Sequence, residues 1–539
     1  MRIRWPILLP SLVVIAFAAL TLRLLLNKHF TIDEFQYAHA AWLVAHGSIP
    51  YRDFFDDRFP LLYQILGVFP ALRQARPQDL ILLRWAVLPI VVLIAVLIAF
   101  SNRRFDPFTA LLGVAFLLAT PAFTARATEI RPDALAFMLF LAAISLLSTR
   151  SVRDSPAAFF AGVLLAASVW ASLKVVYYGC IVAIALLFPR RRAYLRNPPL
   201  FVAGFAVLCA LVALYLVLSG SASDWFLWTV RWAWIHEREY PHFPWFTTAL
   251  PFLRDSSWLL LLCLAGWITE LRAGERDVLL LLALPSTLLS FAAQRAPFEY
   301  SLIPFIGIAV IFAARGVAAL VNVRNRVLTA AVAFVCAAGM AADVPRTFQA
   351  AIPSNDAQLA TLTRLGMATA PNDAVYDNTG AYFARPNAWY FFYTDEVLRR
   401  RLFSTMTIEV EEALRRTQAP AILIDLRFRG LPPRLQAFLL EHYQPYFGDL
   451  RLWGMRFGPA ASVDAQFWAI RDGEYFVYPN TTLLVDGQAV TTGIVRLRAG
   501  PHRVVFSGKP AAFALLWLPR DGKPYVPSSS PAPNVFSYL

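Results

Sequence analysis

The sequence predicts an all-α membrane domain of about eleven transmembrane helices, followed by an extracytoplasmic α/β domain and a small C-terminal β-sandwich. Three observations lead there. Of 539 residues, 58% are hydrophobic and only 16% are charged, too few charges to solvate most of the chain. Apolar runs of near-span length recur at about 5–26, 80–100, 107–123, 133–148, 156–172, 175–189, 199–219, 251–268, 278–293, 301–318 and 327–342. Beyond residue 343 the periodicities shorten and turn formers become common.

The first run, from about Trp5 to Leu26, is longer than the roughly 7–15-residue apolar core of a secretory signal, so it reads as a retained span. When the connections are assigned alternately to two sides, arginines collect on one of them: Arg2 and Arg4, Arg103 and Arg104, Arg150 and Arg153, Arg190 to Arg192, Arg272 and Arg276, Arg324 and Arg326. The positive-inside rule makes that side, and the N-terminus, cytoplasmic. The net charge of +14 is thereby explained without nucleic acid, whose binders need a basic stripe on a solvated face. An odd number of spans puts residues 31 to 63 and everything after 343 outside the cytoplasm. Cys180, Cys209, Cys263 and Cys336 lie inside apolar runs without metal spacing and read as small buried hydrophobes.

Three domains follow: 1–343 in the membrane with its outer loops, 344–460 as α/β, and 461–539 as the β-sandwich. AILIDLR (421–427) reads as a strand and PPRLQAFLLEHYQPY (432–446) as an amphipathic segment. From about Ala465 short alternating strands are punctuated by bends at Asp486-Gly487 and Ala499-Gly500.

Candidate chemistry gathers in the outer loops. Residues 35 to 46 predict a helix along the membrane surface, with Phe35, Ala38, Trp42 and Ala45 on one side and Gln36, His39 and His46 on a neighbouring one. Asp33 and Glu34 stand at its start, where acids also favour the positive helix end and need do nothing else. In TEIRPDALAF (128–137), Pro132 suits a first helical turn, and Glu129, Arg131 and Asp133 are either a functional cluster or a structural pair that holds the loop. Lys174, in WASLKVVYYG, is either a snorkelling lysine or a phosphate ligand. QRAPFEYSLIP (294–304) supplies Arg295, Glu299 and Tyr300, which suit phosphate oxygens or an interfacial belt. The tryptophans of 220–250 read as a headgroup-level belt or lid, and HEREY (236–240) lacks the second histidine of a zinc protease.

An Asp-Glu pair after the first span, a surface helix, Gly47, Pro50-Tyr51, Asp53-Phe54 and an apolar run led by Pro60, with the three later loops, resemble the GT-C glycosyltransferases, specifically the bacterial protein mannosyltransferase-like and aminoarabinose-transferase-like enzymes. The resemblance covers about residues 1 to 345. It departs at 56–60, where many relatives carry a histidine or lysine before two prolines, so no role passes to Arg58. It implies a GT-C-like fold, a multi-pass protein of the bacterial plasma membrane, and an inverting transfer of sugar from a polyprenyl-phosphate donor to an extracytoplasmic glycan, lipid or protein. Its implied catalytic residues are Asp33, Glu34 and Asp133. Arg131, Lys174, Arg295 and Tyr300 would bind the donor phosphate, and Glu129 and His39 the substrate. Partners would be the polyprenyl-phosphate-linked sugar and membrane lipids. No Gly-rich nucleotide loop is visible. A divalent metal held by Asp33 with Glu129 or Asp133 would belong to a metal-dependent oligosaccharyltransferase-like alternative. A secondary transporter is a further alternative, although it should place ionisable residues at mid-membrane, and so is a non-catalytic glycan-binding subunit.

Overall fold

The structure, a computed structural model, describes residues 5–103, 105–148, 156–180, 198–273, 277–527 and 534–538. Arg2, Arg4, Arg104, Arg150, Arg153, Arg190, Arg191, Arg192 and Arg276, and the span expected over 175–189 beyond residue 180, lie outside them. The chain divides into two compact units, one of residues 1–28, 57–66 and 81–354 and one of 29–56, 67–80 and 355–539.

The first unit is helical. Leu8–Asn27, Asp79–Asn102, Pro198–Leu218, Glu299–Val321 and Arg326–Gln349 are long and apolar enough to cross a membrane. Two bent pairs, Pro107–Ala119 with Pro121–Ala127 at 73° and Trp245–Asp255 with Ser257–Arg272 at 88°, bring the number among the described residues to seven if each is one span. Pro132–Leu147, Ala157–Ala171 and Val278–Ala293 are shorter and apolar. The 73° bend follows from Pro121, which cannot donate to the preceding turn and holds Thr120 in extended backbone. Burial separates centre from periphery: 89% of the most apolar window of Glu299–Val321 is covered, against 17% for Pro198–Leu218. Apolar side chains gain little by meeting one another in lipid, so close backbone approach matters more. A Cβ on Gly266 would sit 1.9 Å from the Phe312 carbonyl oxygen, and one on Gly316 2.1 Å from that of Leu262, which locks Ser257–Arg272 against Ile303–Val321.

The second unit is built on a sheet of order β1-β2-β4-β9-β5-β8, where β1 is Val375–Tyr376, β2 Ala421–Leu423, β4 Leu450–Ala469, β5 Gly473–Tyr478, β8 Ile494–Leu497 and β9 Gly500–Trp517. β3 (Tyr443–Phe447) pairs with β4, and the hairpin β6 (Leu483–Val485) and β7 (Gln488–Val490) attaches to β9. Only β1 and β2 are parallel; the other pairs are antiparallel. Asp486 and Gly487, at φ 52° and 82°, make the two-residue turn of the hairpin expected there. The expected domain boundary at 460 falls inside β4. Its first residues pair with β2 and β3, and from Gly454 onward it pairs with β9.

The first outer loop is part of this unit. Phe30 exchanges both backbone hydrogen bonds with the Gln358 side chain, the Phe55 N–H donates to the Tyr390 carbonyl, and the Tyr393 hydroxyl donates to Asp56. The helix over 35–46 begins earlier, at Ile32, and is buried on both of its expected faces: Phe35 and Ala38, but equally Gln36 and His39. Its polar face is covered by Asn387, Tyr382 and Phe392, residues more than 300 positions away.

Candidate functional site

Three helix ends in the first unit place the candidate cations and acids. Arg131 precedes Pro132 and is held extended (φ −142°, ψ 147°), while Asp133 lies in the first turn of Pro132–Leu147, near the positive helix end. Lys174 sits in the turn after Ala157–Ala171. Tyr300 sits in a 3₁₀ turn, Glu299–Leu302, that leads into the central helix. Asp133 joins the two cations, 3.0 Å from Lys174 Nζ through Oδ1 and 3.3 Å from Arg131 Nε through Oδ2. Both lie over the Tyr300 ring, the Arg131 guanidinium at 3.5 Å and the Lys174 ammonium at 4.1 Å from its centre.

The network continues to Glu129. Lys28 Nζ donates to its carboxylate and, at 2.7 Å, to the Ala125 carbonyl. Arg126 lies 3.0 Å from Glu129 and 2.9 Å from Glu299, and Arg131 Nε stands 3.8 Å from the second Glu129 oxygen. Arg84 fixes the approach of Lys28 by donating to the Leu25 and Lys28 carbonyls at the end of the first helix. Four cations thus surround three carboxylates. Burial is graded across them: the Glu129 side chain is fully buried, whereas that of Lys174 is 34% exposed. Such an arrangement can take an anion at its open edge, where Lys174 and Arg131 exchange part of their pairing with Asp133 for new oxygens.

Of the sequence candidates, Glu129, Arg131, Asp133, Lys174 and Tyr300 fall in this one network. Arg295 is engaged elsewhere: its Nε donates to the Tyr240 carbonyl at 2.5 Å and its own carbonyl accepts from Phe243. Lys28, Arg126 and Arg84 were not candidates. Their one signal is position, since each is a basic residue at or within a few positions of the end of an apolar run.

Asp33, Glu34 and His39 share one helix of the second unit, Ile32–Ala45. Glu34 is fully buried and closes a capping box: it accepts the Thr31 N–H at 3.1 Å, and its own N–H donates to Thr31 Oγ1 at 3.4 Å. The acid of the pair that serves the helix start is therefore Glu34. Asp33, one position earlier, is half-buried. His39 is fully buried beside Trp42, Tyr382 and Phe392, with Nε2 2.6 Å from Asn387 Oδ1. Burial lowers its pKa to about 4, partly offset by Asn387, so the ring is neutral at neutral pH. Among the described residues no group of three or more His, Cys, Asp or Glu is placed to hold a metal ion.

No protein-family model matches the chain, and no curated protein matches it. Solved structures do. ArnT from Cupriavidus metallidurans, in crystal structures bound to undecaprenyl phosphate and in the apo state, superposes with a TM-score of 0.54 in both, at 12% and 11% identity. The matches cover 77% and 82% of this chain and 94% and 97% of ArnT. The Archaeoglobus fulgidus oligosaccharyltransferase, tethered with an acceptor peptide containing the NVT sequon, gives 0.49 at 12% identity over 82% of this chain and 72% of that one. The chain has the fold of ArnT, and identities this low extend the likeness to fold alone.

Proposed function

We propose that this protein is an integral-membrane inverting glycosyltransferase that moves a sugar from a polyprenyl-phosphate donor to an acceptor outside the cytoplasm. The observation that carries the reading is the Arg131–Asp133–Lys174 network on the Tyr300 ring, at helix ends of a chain with the fold of a protein crystallised with undecaprenyl phosphate. In the reaction the acceptor oxygen or nitrogen bonds to the anomeric carbon as the bond from that carbon to the phosphate oxygen breaks. The electron pair leaves with the phosphate, and the acceptor proton goes to a base. We assign the base to Asp33, contributing about 10²–10⁴-fold. Lys174 and Arg131 neutralise the leaving phosphate, with Tyr300 holding both cations in place and Glu129, clamped by Lys28 and Arg126, fixing the loop beneath. Eleven spans, a cytoplasmic N-terminus and a bacterial plasma membrane belong to the same proposal, as do the three domain limits, with the strand β4 as the element that joins the last two.

A metal-dependent variant would ask Asp33 with Glu129 or Asp133 to ligate a divalent ion. Glu129 and Asp133 are ion-paired with Lys28, Arg126, Arg131 and Lys174, which a divalent ion would have to displace.

The test uses purified full-length protein, a panel of undecaprenyl-phosphoryl sugars, and envelope extract from a strain lacking the protein as acceptor, with released undecaprenyl phosphate as readout. Asp33→Asn is expected to bind donor normally and to turn over about 10²-fold or more slowly. Lys174→Ala is expected to weaken donor binding. Wild-type turnover by Asp33→Asn would remove the base assignment, and loss of all turnover on exhaustive chelation would restore the metal-dependent variant.

A further inference from the structure

The helix that carries Asp33 begins against a segment from the far end of the chain. Ile32 N–H, one of the first-turn donors that no helical carbonyl can satisfy, donates to the Tyr538 carbonyl at 3.0 Å. Next to it Phe536, 1% exposed, packs edge-on against Phe35 with ring centres 5.5 Å apart, and the Tyr538 ring lies 4.1 Å from that of His29. The segment is itself anchored. Val535 N–H donates to Asp449 at 2.6 Å, the Val535 carbonyl accepts from Gln358 Nε2 at 2.9 Å, and the Phe536 carbonyl accepts from Leu426 N–H at 3.4 Å. The Gln358 amide also holds Phe30 through both of its backbone groups, at 2.7 and 2.9 Å. One side chain therefore ties residues 30 and 535 together, two positions before the helix starts.

We infer that residues 535 to 538, with Gln358, are a positioning element for Asp33: they set the start of its helix and hence where its carboxylate stands when a proton is taken. This rests on the assignment of Asp33 as base. The backbone on both sides of Asp33 is pinned, Ile32 by Tyr538 and Glu34 by the Thr31 hydroxyl, so loss of the distant pin leaves the capping box intact but frees the helix start to tilt. Misplacement of a reacting group by about 1 Å costs on the order of 10²-fold in rate, far more than the same shift costs in substrate binding.

Two substitutions remove the pin differently: Phe536→Ala takes away the packed ring, and Gln358→Leu keeps the bulk but removes the amide. Each is made in the wild-type and in the Asp33→Asn background, with undecaprenyl-phosphoryl sugar as probe and rates normalised to folded protein. In the wild-type background both are expected to lower turnover about 10- to 100-fold while donor KM stays within about twofold. Amide hydrogen exchange of the peptide covering 29–37 should quicken in both, and Phe536→Leu should recover most of the lost rate. In the Asp33→Asn background the further loss should shrink to about twofold or less, because there is no base left to misplace. An equal fold-loss in both backgrounds, or wild-type turnover in either variant with quickened exchange, overturns the inference. Wild-type turnover by Asp33→Asn alone overturns the base assignment itself, an outcome read before either pin variant is made.

Discussion

Asp449 and His39 show how burial at single residues writes opposite pH dependences into one unit. Asp449, 5% exposed, has its pKa pushed up by burial from the usual 3.8 to about 7, against the pull of the Val535 N–H. The folded chain then holds a proton that the unfolded chain has released, so this group's contribution to stability is full below about pH 4 and is lost as pH rises to about 7. His39 runs the other way. With its pKa lowered to about 4, its contribution is full above about pH 6.5 and is lost as pH falls. The whole-protein profile therefore partly cancels, and single variants separate the two. The unfolding midpoint of wild type, minus that of Asp449→Asn, should decrease steadily from about pH 4 to about pH 7. A flat difference across that window would show that Asp449 does not titrate there. Neither shift was legible in the sequence, where Asp449 is one acid among many; burial beneath residues 535 and 536 made it distinctive.

Among elements, the helix contacts made by glycine are the most exacting. A side chain on Gly266 meets the Phe312 carbonyl oxygen at 1.9 Å, and backbone cannot step aside as a flexible side chain would. Gly266→Ala should cost about 1–3 kcal/mol and lower the thermal midpoint in detergent, as overpacking does. Gly458→Ala, at a position with no neighbour within 4 Å, is the control and should stay within about 0.5 kcal/mol. An unchanged midpoint for Gly266→Ala would mean that these two helices are not locked. Elements with strong local chemistry were legible beforehand: the proline-led helix at Pro132, the bend at Asp486-Gly487, and the strand at Ala421. The helix at 32–45 was legible as a helix but not as a buried one. Its polar side looked wet because Asn387 and Tyr382, which cover it, lie far away in sequence.

For the whole molecule, the decisive expectation is topological. Arginine pairs collect on one side when the connections are assigned alternately, so a reporter active only in the cytoplasm should stay dark when fused after Leu539 and light up when fused in the loop after Asn102. Signal at Leu539 would reverse the orientation and put the Arg131–Asp133–Lys174 network on the cytoplasmic side.

The sequence by itself determined that the chain opens with apolar helices of span length and ends in mixed α/β structure, because apolar length and periodicity are local properties. It also brought forward five residues, Glu129, Arg131, Asp133, Lys174 and Tyr300, that prove to share one network. Only the tertiary structure decided which acid of the Asp33-Glu34 pair closes the helix cap, which cations complete the network, and that β4 runs through the expected boundary at 460. Those outcomes depend on partners such as Lys28 for Glu129, 101 positions apart, and Tyr538 for Ile32. Hydrogen bonds and ion pairs of that kind are chosen by how the chain packs, and no local pattern in the sequence encodes them.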